Sequence, residues 1–190
     1  MYGYGAQSSV IREIFAYGMA RKEEIGADNV FDFSLGNPSV EPPKEVTETF
    51  IEMLQTKNPL ELHGYTAGPG DMGVRNILAE DLNERFGTDI KGSNMYMTCG
   101  AAAALKIILA ALYEEGDEAL TITPFFPEYT VFSETAGYIF KPVGSDEKTF
   151  QPDIEKLEEA ITKKTKCIIL NSPNNPSGVV YTKENIVKVT

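Results

Sequence analysis

Three asparagine side chains lie close together in the segment 171–178, NSPNNPSG, where two prolines stiffen the backbone. The segment directly follows the apolar run 167–170, which is typical of a buried strand bounded by turn residues. Because proline fixes φ and biases the preceding residue towards extended backbone, Asn171, Asn174 and Asn175 are expected to point in defined directions. Amides at the carboxyl end of a strand in an α/β sheet can bind a ligand. The same residue types also make ordinary polar turns.

A second turn could bind an anion. Residues 98–104 are predicted to turn tightly into a helix whose first residues, Gly100, Ala101 and Ala102, have almost no side chain. Backbone N–H groups at the start of a helix are unpaired and lie at the positive end of the helix dipole, so they favour a phosphate. The alternative is an alanine-rich helix start that reflects helix propensity alone.

A third turn carries two aromatic rings, Phe125 and Phe126, between Pro124 and Pro127. One of the rings could lie flat on a planar ligand, although a phenylalanine more often packs in a core. All three turns follow predicted strands at the same edge of a sheet. Together they offer an anion site, a flat apolar face and a directed amide, which suit a phosphorylated aromatic ring with a polar substituent.

Strands and helices alternate regularly from Asn94 onwards. The predicted strands span 95–98, 119–123, 138–143 and 166–170, and the predicted helices between them span 101–113, 128–135 and 153–162. This alternation predicts an α/β fold with a mostly parallel sheet and right-handed crossovers. A last helix, capped by Thr182, is expected to run to the final residue, so we expect the chain to be truncated there.

The preceding part of the chain is predicted to be mostly helical. Its predicted elements are a helix from Ser8 or Ser9 to about Ile25, a strand over 31–35, a helix over 43–56, a loop over 64–70 and a helix over 72–86. Asp71 is expected to cap the helix over 72–86 and Gly87 to end it. Its apolar residues fall on one face, and Arg75 is expected on the helix surface.

Composition limits the class of protein. The chain has 190 residues, a hydrophobic share of 42% and a formal charge of −11. Scattered lysines and this charge argue against nucleic acid and anionic membranes as partners. The longest apolar stretch, 101–113, is too short to span a bilayer and residues 1–10 hold no signal-like apolar core, so a cytoplasmic location is expected. One histidine and two separated cysteines, Cys99 and Cys167, predict no metal site.

The motifs 100–105, 124–129 and 171–178, in this order and spacing, closely resemble those of class I/II aminotransferases, which are pyridoxal-phosphate enzymes. The resemblance extends upstream to the sequence LGNP at 35–38 and to Tyr65, and so covers nearly the whole chain. It implies an aspartate aminotransferase-like fold, a three-layer α/β sandwich with a mostly parallel sheet. Residues 1–42 would form an N-terminal arm and a segment of the small domain, and residues 43–190 the first, incomplete part of the cofactor-binding large domain.

Site roles follow from the resemblance by position. They are phosphate binding by Gly100, Ala101 and Ala102, stacking of Phe126 on the pyridine ring, donation from Asn175 to the phenolic oxygen, and a place beside the substrate carboxylate for Gly36 and Asn37. Tyr65 would reach the cofactor phosphate of the partner subunit, so that active sites form across a homodimer. The resemblance also implies cis peptide bonds at Thr123-Pro124 and Asn175-Pro176.

The residues that do the chemistry in this family come later in the sequence than the asparagine-proline turn. They are the Schiff-base lysine, the acid that pairs with the pyridine nitrogen and the arginine that binds the substrate carboxylate. No lysine of these 190 residues lies in the matching strand-end context. We therefore expect no catalytic lysine here and no turnover of amino acid and 2-oxo acid from the chain alone. The strand over 95–98 is likewise expected to lack its neighbours, which the family encodes later.

Two other functions remain open at this point. One is a non-catalytic remnant or binding module that keeps some affinity for the cofactor phosphate or for a complementing chain. The other is a pyridoxal-phosphate β-lyase or cyclising synthase, because those enzymes share the fold. The Asn174-Asn175 pair favours a transaminase, and the substrate amino acid is not predicted.

Overall fold

The computed structural model describes residues 10–34, 36 and 40–190, without the side chain of Ile11. The chain divides into two compact units, Met1–Tyr96 and Met97–Thr190. The domain boundary that the family resemblance implies lies near residue 42, not at the division between these two units, and stays a prediction. The elements of each unit follow.

Helices dominate the described part of the first unit. They are α1 (Val10–Ile25), α2 (Lys44–Thr56), the single turn α3 (Pro59–Leu62) and α4 (Met72–Phe86), with short 3₁₀ turns at Ala27–Asn29 and Gly92–Asn94. The predicted caps of α4 are confirmed, because Asp71 Oδ1 accepts a hydrogen bond from the Val74 N–H at 3.0 Å and Gly87 ends the helix in the left-handed conformation. The predicted start of α1 at Ser8 or Ser9 lies outside the described residues.

The strand predicted over 31–35 is not present in its described part, residues 31–34. Instead, Asp32 accepts hydrogen bonds from the backbone and hydroxyl of Ser34 and forms a 2.7 Å ion pair with Lys22 of α1. The Lys22 ammonium and the Ser34 donors hold the pKa of the Asp32 carboxyl well below its usual range. An alternating pattern makes a strand only where a neighbouring strand pairs with it, and the described part of this unit contains none.

The prediction that Arg75 lies on the helix surface is wrong. Arg75 is 5% exposed, and its Nη1 donates to the carbonyls of Gly92 and Met95 at 3.1 and 3.3 Å. The predicted apolar face of α4 is largely exposed instead, with Ile77 at 67%. The apolar pattern of the sequence could not show which side of α4 the 92–95 segment covers.

The second unit contains the alternating elements that the sequence predicted. They are α5 (Ala101–Leu112), β1 (Glu118–Ile122), α6 (Glu128–Ala136), β2 (Ile139–Val143), α7 (Ile154–Ala160), β3 (Thr165–Ile169) and α8 (Lys183–Val189). Thr182 caps α8 as expected, since its Oγ1 accepts from the Asn185 N–H at 3.2 Å. In the described residues the three strands form one parallel sheet in the order β2-β1-β3.

Helices cover both faces of this sheet. On one face Leu120, Ile122 and Val143 pack with Leu157 of α7 and Val189 of α8. On the other face, Ala119 packs with Leu109 of α5, Tyr138, and the α6 residues Phe132 and Ala136. Alternate residues of β1 therefore enter opposite cores, as a strand buried on both faces requires. The unit is a three-layer α/β sandwich, as predicted.

The strand predicted over 95–98 is not formed. Met95 has extended backbone, but Tyr96 is 60% exposed and the described sheet places β2 and β3, not this segment, beside β1. A strand is defined by its hydrogen-bonded partner, so an apolar extended segment without one remains a loop.

Candidate functional site

Two of the three turns meet at one edge of the sheet. Thr121 of β1 lies opposite Ile169 of β3 in a parallel ladder, so both strands end at the same place. Residues 123–127 continue from β1, and residues 170–178 continue from β3. The Thr121 hydroxyl also donates to the Ile169 carbonyl at 3.0 Å, which fixes the two strand ends to each other.

The asparagine turn is held by two of its own amides. Asn171 Oδ1 accepts a hydrogen bond from the Asn175 N–H at 2.8 Å. Asn174 is 6% exposed, and its Nδ2 donates to the Pro124 carbonyl at 2.9 Å and to Ser177 Oγ at 2.8 Å. The first of these bonds joins the asparagine turn to the aromatic turn. Sequence reasoning did not assign this link to Asn174.

Asn175 differs from its two neighbours because its side chain is exposed. Its side-chain amide, unlike its backbone N–H, makes no hydrogen bond to another described residue and is therefore available to a ligand. The peptide bonds Thr123-Pro124 and Asn175-Pro176 are cis, which confirms that expectation, and Ser172-Pro173 is also cis.

The two aromatic rings have different surroundings. Phe125 packs edge-on with Phe140 of β2, with ring centres 5.3 Å apart. Phe126 is partly exposed and packs edge-on with Tyr129 of α6 at 5.7 Å. Burial raises the pKa of the Tyr129 phenol, so this neighbour stays uncharged at neutral pH. Both rings are partly exposed, so burial does not separate them, and the choice of Phe126 as the ring that stacks on a ligand stays a prediction from the family resemblance.

Helix α5 points its first residue towards this edge. Near its other end, the Leu109 carbonyl accepts a 3.0 Å hydrogen bond from the Tyr138 hydroxyl, and the Tyr113 ring packs edge-on with Tyr138 at 5.3 Å. Tyr138 directly precedes β2, so this end of α5 lies at the amino edge of the sheet. A helix of 12 residues spans about 18 Å, comparable with a five-residue strand, so its N-terminus extends towards the carboxyl edge.

The start of α5 fits a phosphate group. Gly100 has φ 86° and ψ 172°, no side chain caps the helix, and a Cβ at Gly100 would meet nothing within 4 Å. Gly100, Ala101 and Ala102 are all exposed. The first N–H groups of an α-helix have no partner within the helix, so those of the first turn are free to bind an anion.

Lysines of the sheet lie away from this edge. Lys141, in the middle of β2, pairs with Glu118, and Lys166, near the start of β3, lies 3.4 Å from Asp117. Glu118 is the first residue of β1, and Asp117 directly precedes it. These ammonium groups are therefore held at the amino side of the sheet, opposite the turns that carry Phe126 and Asn175.

The remaining predicted site residues belong to the first unit. Tyr65 is fully exposed in its loop, and Gly36 is exposed with open space where a Cβ would lie. Asn37 lies outside the described residues.

Membrane-spanning helices and metal sites can be searched for in the part of the chain that the structure describes. No helix there is long and apolar enough to cross a membrane. No group of three or more His, Cys, Asp or Glu side chains there is arranged to hold a metal ion.

The chain belongs to the family of aminotransferases of class I and II, whose sequence profile matches residues 28–190. The family depends on pyridoxal phosphate. Among curated relatives, a probable aspartate aminotransferase of Methanocaldococcus jannaschii is 35% identical over 178 residues, which are 94% of this chain and 44% of that protein. An aspartate aminotransferase of Thermotoga maritima is 34% identical over 158 residues, which are 83% of this chain and 41% of that protein.

Solved structures show the same fold. An aminotransferase of Eubacterium rectale superposes with a TM-score of 0.94 at 46% identity, over 100% of this chain and 48% of that one. The aspartate aminotransferase of Thermotoga maritima superposes with a TM-score of 0.87 at 30% identity, over 98% of this chain and 48% of that one. The aspartate aminotransferase-like fold predicted from the sequence is confirmed. The chain spans less than half the length of the relatives it matches.

Proposed function

We propose that this chain provides the cofactor-binding turns of a pyridoxal-phosphate-dependent aminotransferase that moves an amino group between an amino acid and a 2-oxo acid. The observation that carries the proposal is the junction of two turns at the carboxyl edge of the sheet, one presenting Phe126 and the other the free amide of Asn175. The uncapped start of α5 extends towards the same edge and supplies the third contact.

Each contact has a defined role in this proposal. Gly100, Ala101 and Ala102 hold the phosphate, with the positive end of the α5 dipole behind them. The donors are the N–H groups of Ala101 and Ala102, because the Gly100 N–H donates to the Thr98 carbonyl at 2.9 Å and Gly100 contributes the absence of a side chain. Phe126 supports the pyridine ring by stacking, and the Asn175 amide donates to the phenolic oxygen. When bound, pyridoxal phosphate supplies an electron sink that lets an amino group leave an amino acid and be accepted by a 2-oxo acid.

The catalytic lysine is not among these residues in our proposal. Lys141 and Lys166 pair with carboxylates at the amino side of the sheet, so neither can reach the carboxyl edge without breaking an ion pair. The isolated 190-residue chain is accordingly proposed to bind the cofactor without turning over substrate.

The active form is proposed to be a homodimer. The full exposure of Tyr65 supports a role for its hydroxyl outside its own unit, at the cofactor phosphate of the partner subunit. Gly36 and Asn37 are proposed to lie beside the substrate carboxylate. Residues 1–42 are proposed as arm and small-domain segment, and residues 43–190 as part of the large domain.

Binding of pyridoxamine 5'-phosphate to the full chain tests the cofactor site. This probe carries the phosphate, ring and phenolic oxygen but forms no imine with a lysine, so its affinity reports the contacts proposed above. Replacing Asn175 by alanine should weaken binding about tenfold, as expected for one lost hydrogen bond to a charged group. Asn29→Ala removes an exposed amide whose Nδ2 donates to the carbonyl of Ile25 at the end of α1. This variant is the matched control and should bind as wild type.

A wild-type full chain that does not bind the probe would contradict the proposed function. The reaction type is tested separately on a protein that joins this chain to the later family segment with the Schiff-base lysine, by incubating it with amino acids and a 2-oxo acid. Formation of a new amino acid and a new 2-oxo acid supports a transaminase, whereas release of ammonia and pyruvate would identify a β-lyase of the same fold.

A further inference from the structure

The amide of Asn174 is buried between the two turns of the proposed cofactor site. Its Nδ2 donates to the Pro124 carbonyl at 2.9 Å and to Ser177 Oγ at 2.8 Å, and the residue is 6% exposed. We propose that Asn174 is a positioning residue that sets the separation between the Phe126 ring and the Asn175 amide. This inference rests on the proposed function, because it concerns the ring contacts of that site.

Asn174 lies next to each of the two contacts it would position. In sequence, it immediately precedes Asn175, and its acceptor Pro124 is two residues before Phe126. A change in the Asn174–Pro124 distance therefore moves one contact relative to the other with little intervening chain to absorb it. Because its side chain is buried and its two donor hydrogens are used, Asn174 itself has no free amide hydrogen for a ligand.

The backbone hydrogen bonds between β1 and β3 do not replace the Asn174–Pro124 hydrogen bond. Pairing between β1 and β3 ends at Thr121 and Ile169, before either turn begins. Beyond that pair, within the part of the chain that the structure describes, the Asn174 amide provides the hydrogen bond that connects one turn to the other. Thr123 bonds instead to Val143 of β2, on the opposite side of β1.

The rest of the asparagine turn fixes the direction of the Asn174 amide. Its own backbone N–H donates to the Val179 carbonyl at 2.9 Å, and its carbonyl accepts from the Gly178 N–H at 2.7 Å. Ser177 Oγ, the second acceptor of the amide, also accepts from the Val179 N–H at 3.4 Å. The amide is therefore held from its own turn and reaches across to Pro124 as a fixed donor.

The proposal separates two parts of the cofactor site. The phosphate contacts belong to the start of α5, which Asn174 does not touch, whereas the ring and phenolic-oxygen contacts lie on the turns it joins. Loss of the Asn174 donors should weaken a ligand that carries the ring and leave the affinity for inorganic phosphate unchanged. General damage to the fold would weaken both.

The test measures binding of pyridoxamine 5'-phosphate and of inorganic phosphate to the full chain by calorimetry. Asn174→Asp keeps the shape of the side chain and removes both donors. Asn83→Asp is the matched control, because Asn83 also donates its Nδ2 to a backbone carbonyl, that of Ile90 at 2.8 Å, but lies on α4 in the first unit. We expect N174D to bind pyridoxamine 5'-phosphate about tenfold more weakly and inorganic phosphate within about twofold of wild type.

Other outcomes would overturn the proposal. N174D binding both ligands as wild type would show that the amide positions nothing, and equal weakening of both ligands would show a purely structural role. A wild-type chain that binds inorganic phosphate but not pyridoxamine 5'-phosphate would overturn the proposed function instead. If N174D does not fold, N174Q keeps the amide but displaces it by one methylene, and wild-type affinity of a folded N174Q would overturn the inference.

Discussion

Three asparagines within five residues have three different roles, although their side chains are chemically identical. Asn171 accepts a hydrogen bond from the backbone of its own turn, Asn174 donates from a buried position to the Pro124 carbonyl, and Asn175 is exposed. Direction and burial, not residue type, separate the residue available to a ligand from those that hold the turn. The sequence predicted that all three would have fixed directions but not which one would be buried.

A glycine outside the proposed site gives a residue-scale prediction about stability. Gly137 has φ 109°, and a Cβ there would lie 2.5 Å from Cζ of Tyr113, whose ring packs on Tyr138. Gly137→Ala should therefore lower the free energy of unfolding by about 2–4 kcal/mol, through backbone strain and displacement of that ring. Gly87→Ala also places alanine in the left-handed region, at φ 66°, but its Cβ meets open space, and this change should cost about 1 kcal/mol. Urea unfolding of the full chain measures both, and equal costs would contradict the packing argument.

At the scale of elements, the Glu118 carboxylate connects β1 to the two neighbouring strands of the sheet. Glu118 begins β1, pairs with Lys141 of β2 and accepts a 2.7 Å hydrogen bond from the hydroxyl of Thr162, just before β3. The Lys141 ammonium and the Thr162 hydroxyl lower the pKa of Glu118 from its usual 4.5. The charged form therefore stabilises the sheet, at the edge opposite the proposed site.

Stability of the full chain should depend on the protonation of Glu118. Because the pKa is lower in the folded state, the stabilisation is fully present above pH 4.5 and is lost as the pH falls through the folded-state pKa. Glu118→Gln should lower the thermal unfolding midpoint at neutral pH. The midpoint of this variant should then decrease less than that of wild type when the pH is lowered. Glu184→Gln, which breaks an exposed pair on α8, is the control and should change little. Parallel acid profiles for wild type and E118Q would refute the role of Glu118.

At the scale of the whole molecule, the chain spans less than half of the relatives it matches, yet the second unit has the cores of a three-layer sandwich. The turns that carry Phe126 and Asn175 are built on this unit. Tyr65 belongs to the other unit and is fully exposed. In the proposed homodimer, this side chain would contact the cofactor phosphate of the partner subunit.

Mixed dimers test whether Tyr65 acts across the subunits. Tyr65→Phe and Asn175→Ala should each weaken pyridoxamine 5'-phosphate binding when all subunits carry the change. A dimer of one Y65F and one N175A subunit should regain one tight site, because one of its sites combines an intact Asn175 with an intact Tyr65. A dimer in which both subunits carry both changes is the control. Failure of the mixed dimer to regain a tight site would show that Tyr65 acts within its own subunit.

The local signals in the sequence determined much of the fold of this protein. Asp71 and Thr182 cap their helices where predicted, and the alternation after Asn94 gave three of four strands in a parallel sheet. Ordered motifs identified the family, which the comparisons confirm. These features depend on residues close together in the chain, where propensity and capping act directly.

Only the tertiary structure decided which side chains are buried and which strands pair. Arg75 lies under the 92–95 segment instead of in solvent, and residues 95–98 form no strand because no strand in the described part of the chain pairs with them. Asn174 is fixed by Pro124, 50 residues earlier, and this contact leaves Asn175 as the exposed amide. Burial and strand pairing depend on groups distant in sequence. A local pattern can therefore predict the turn of the proposed cofactor site, but it cannot show which of the three asparagine side chains is buried and which is exposed.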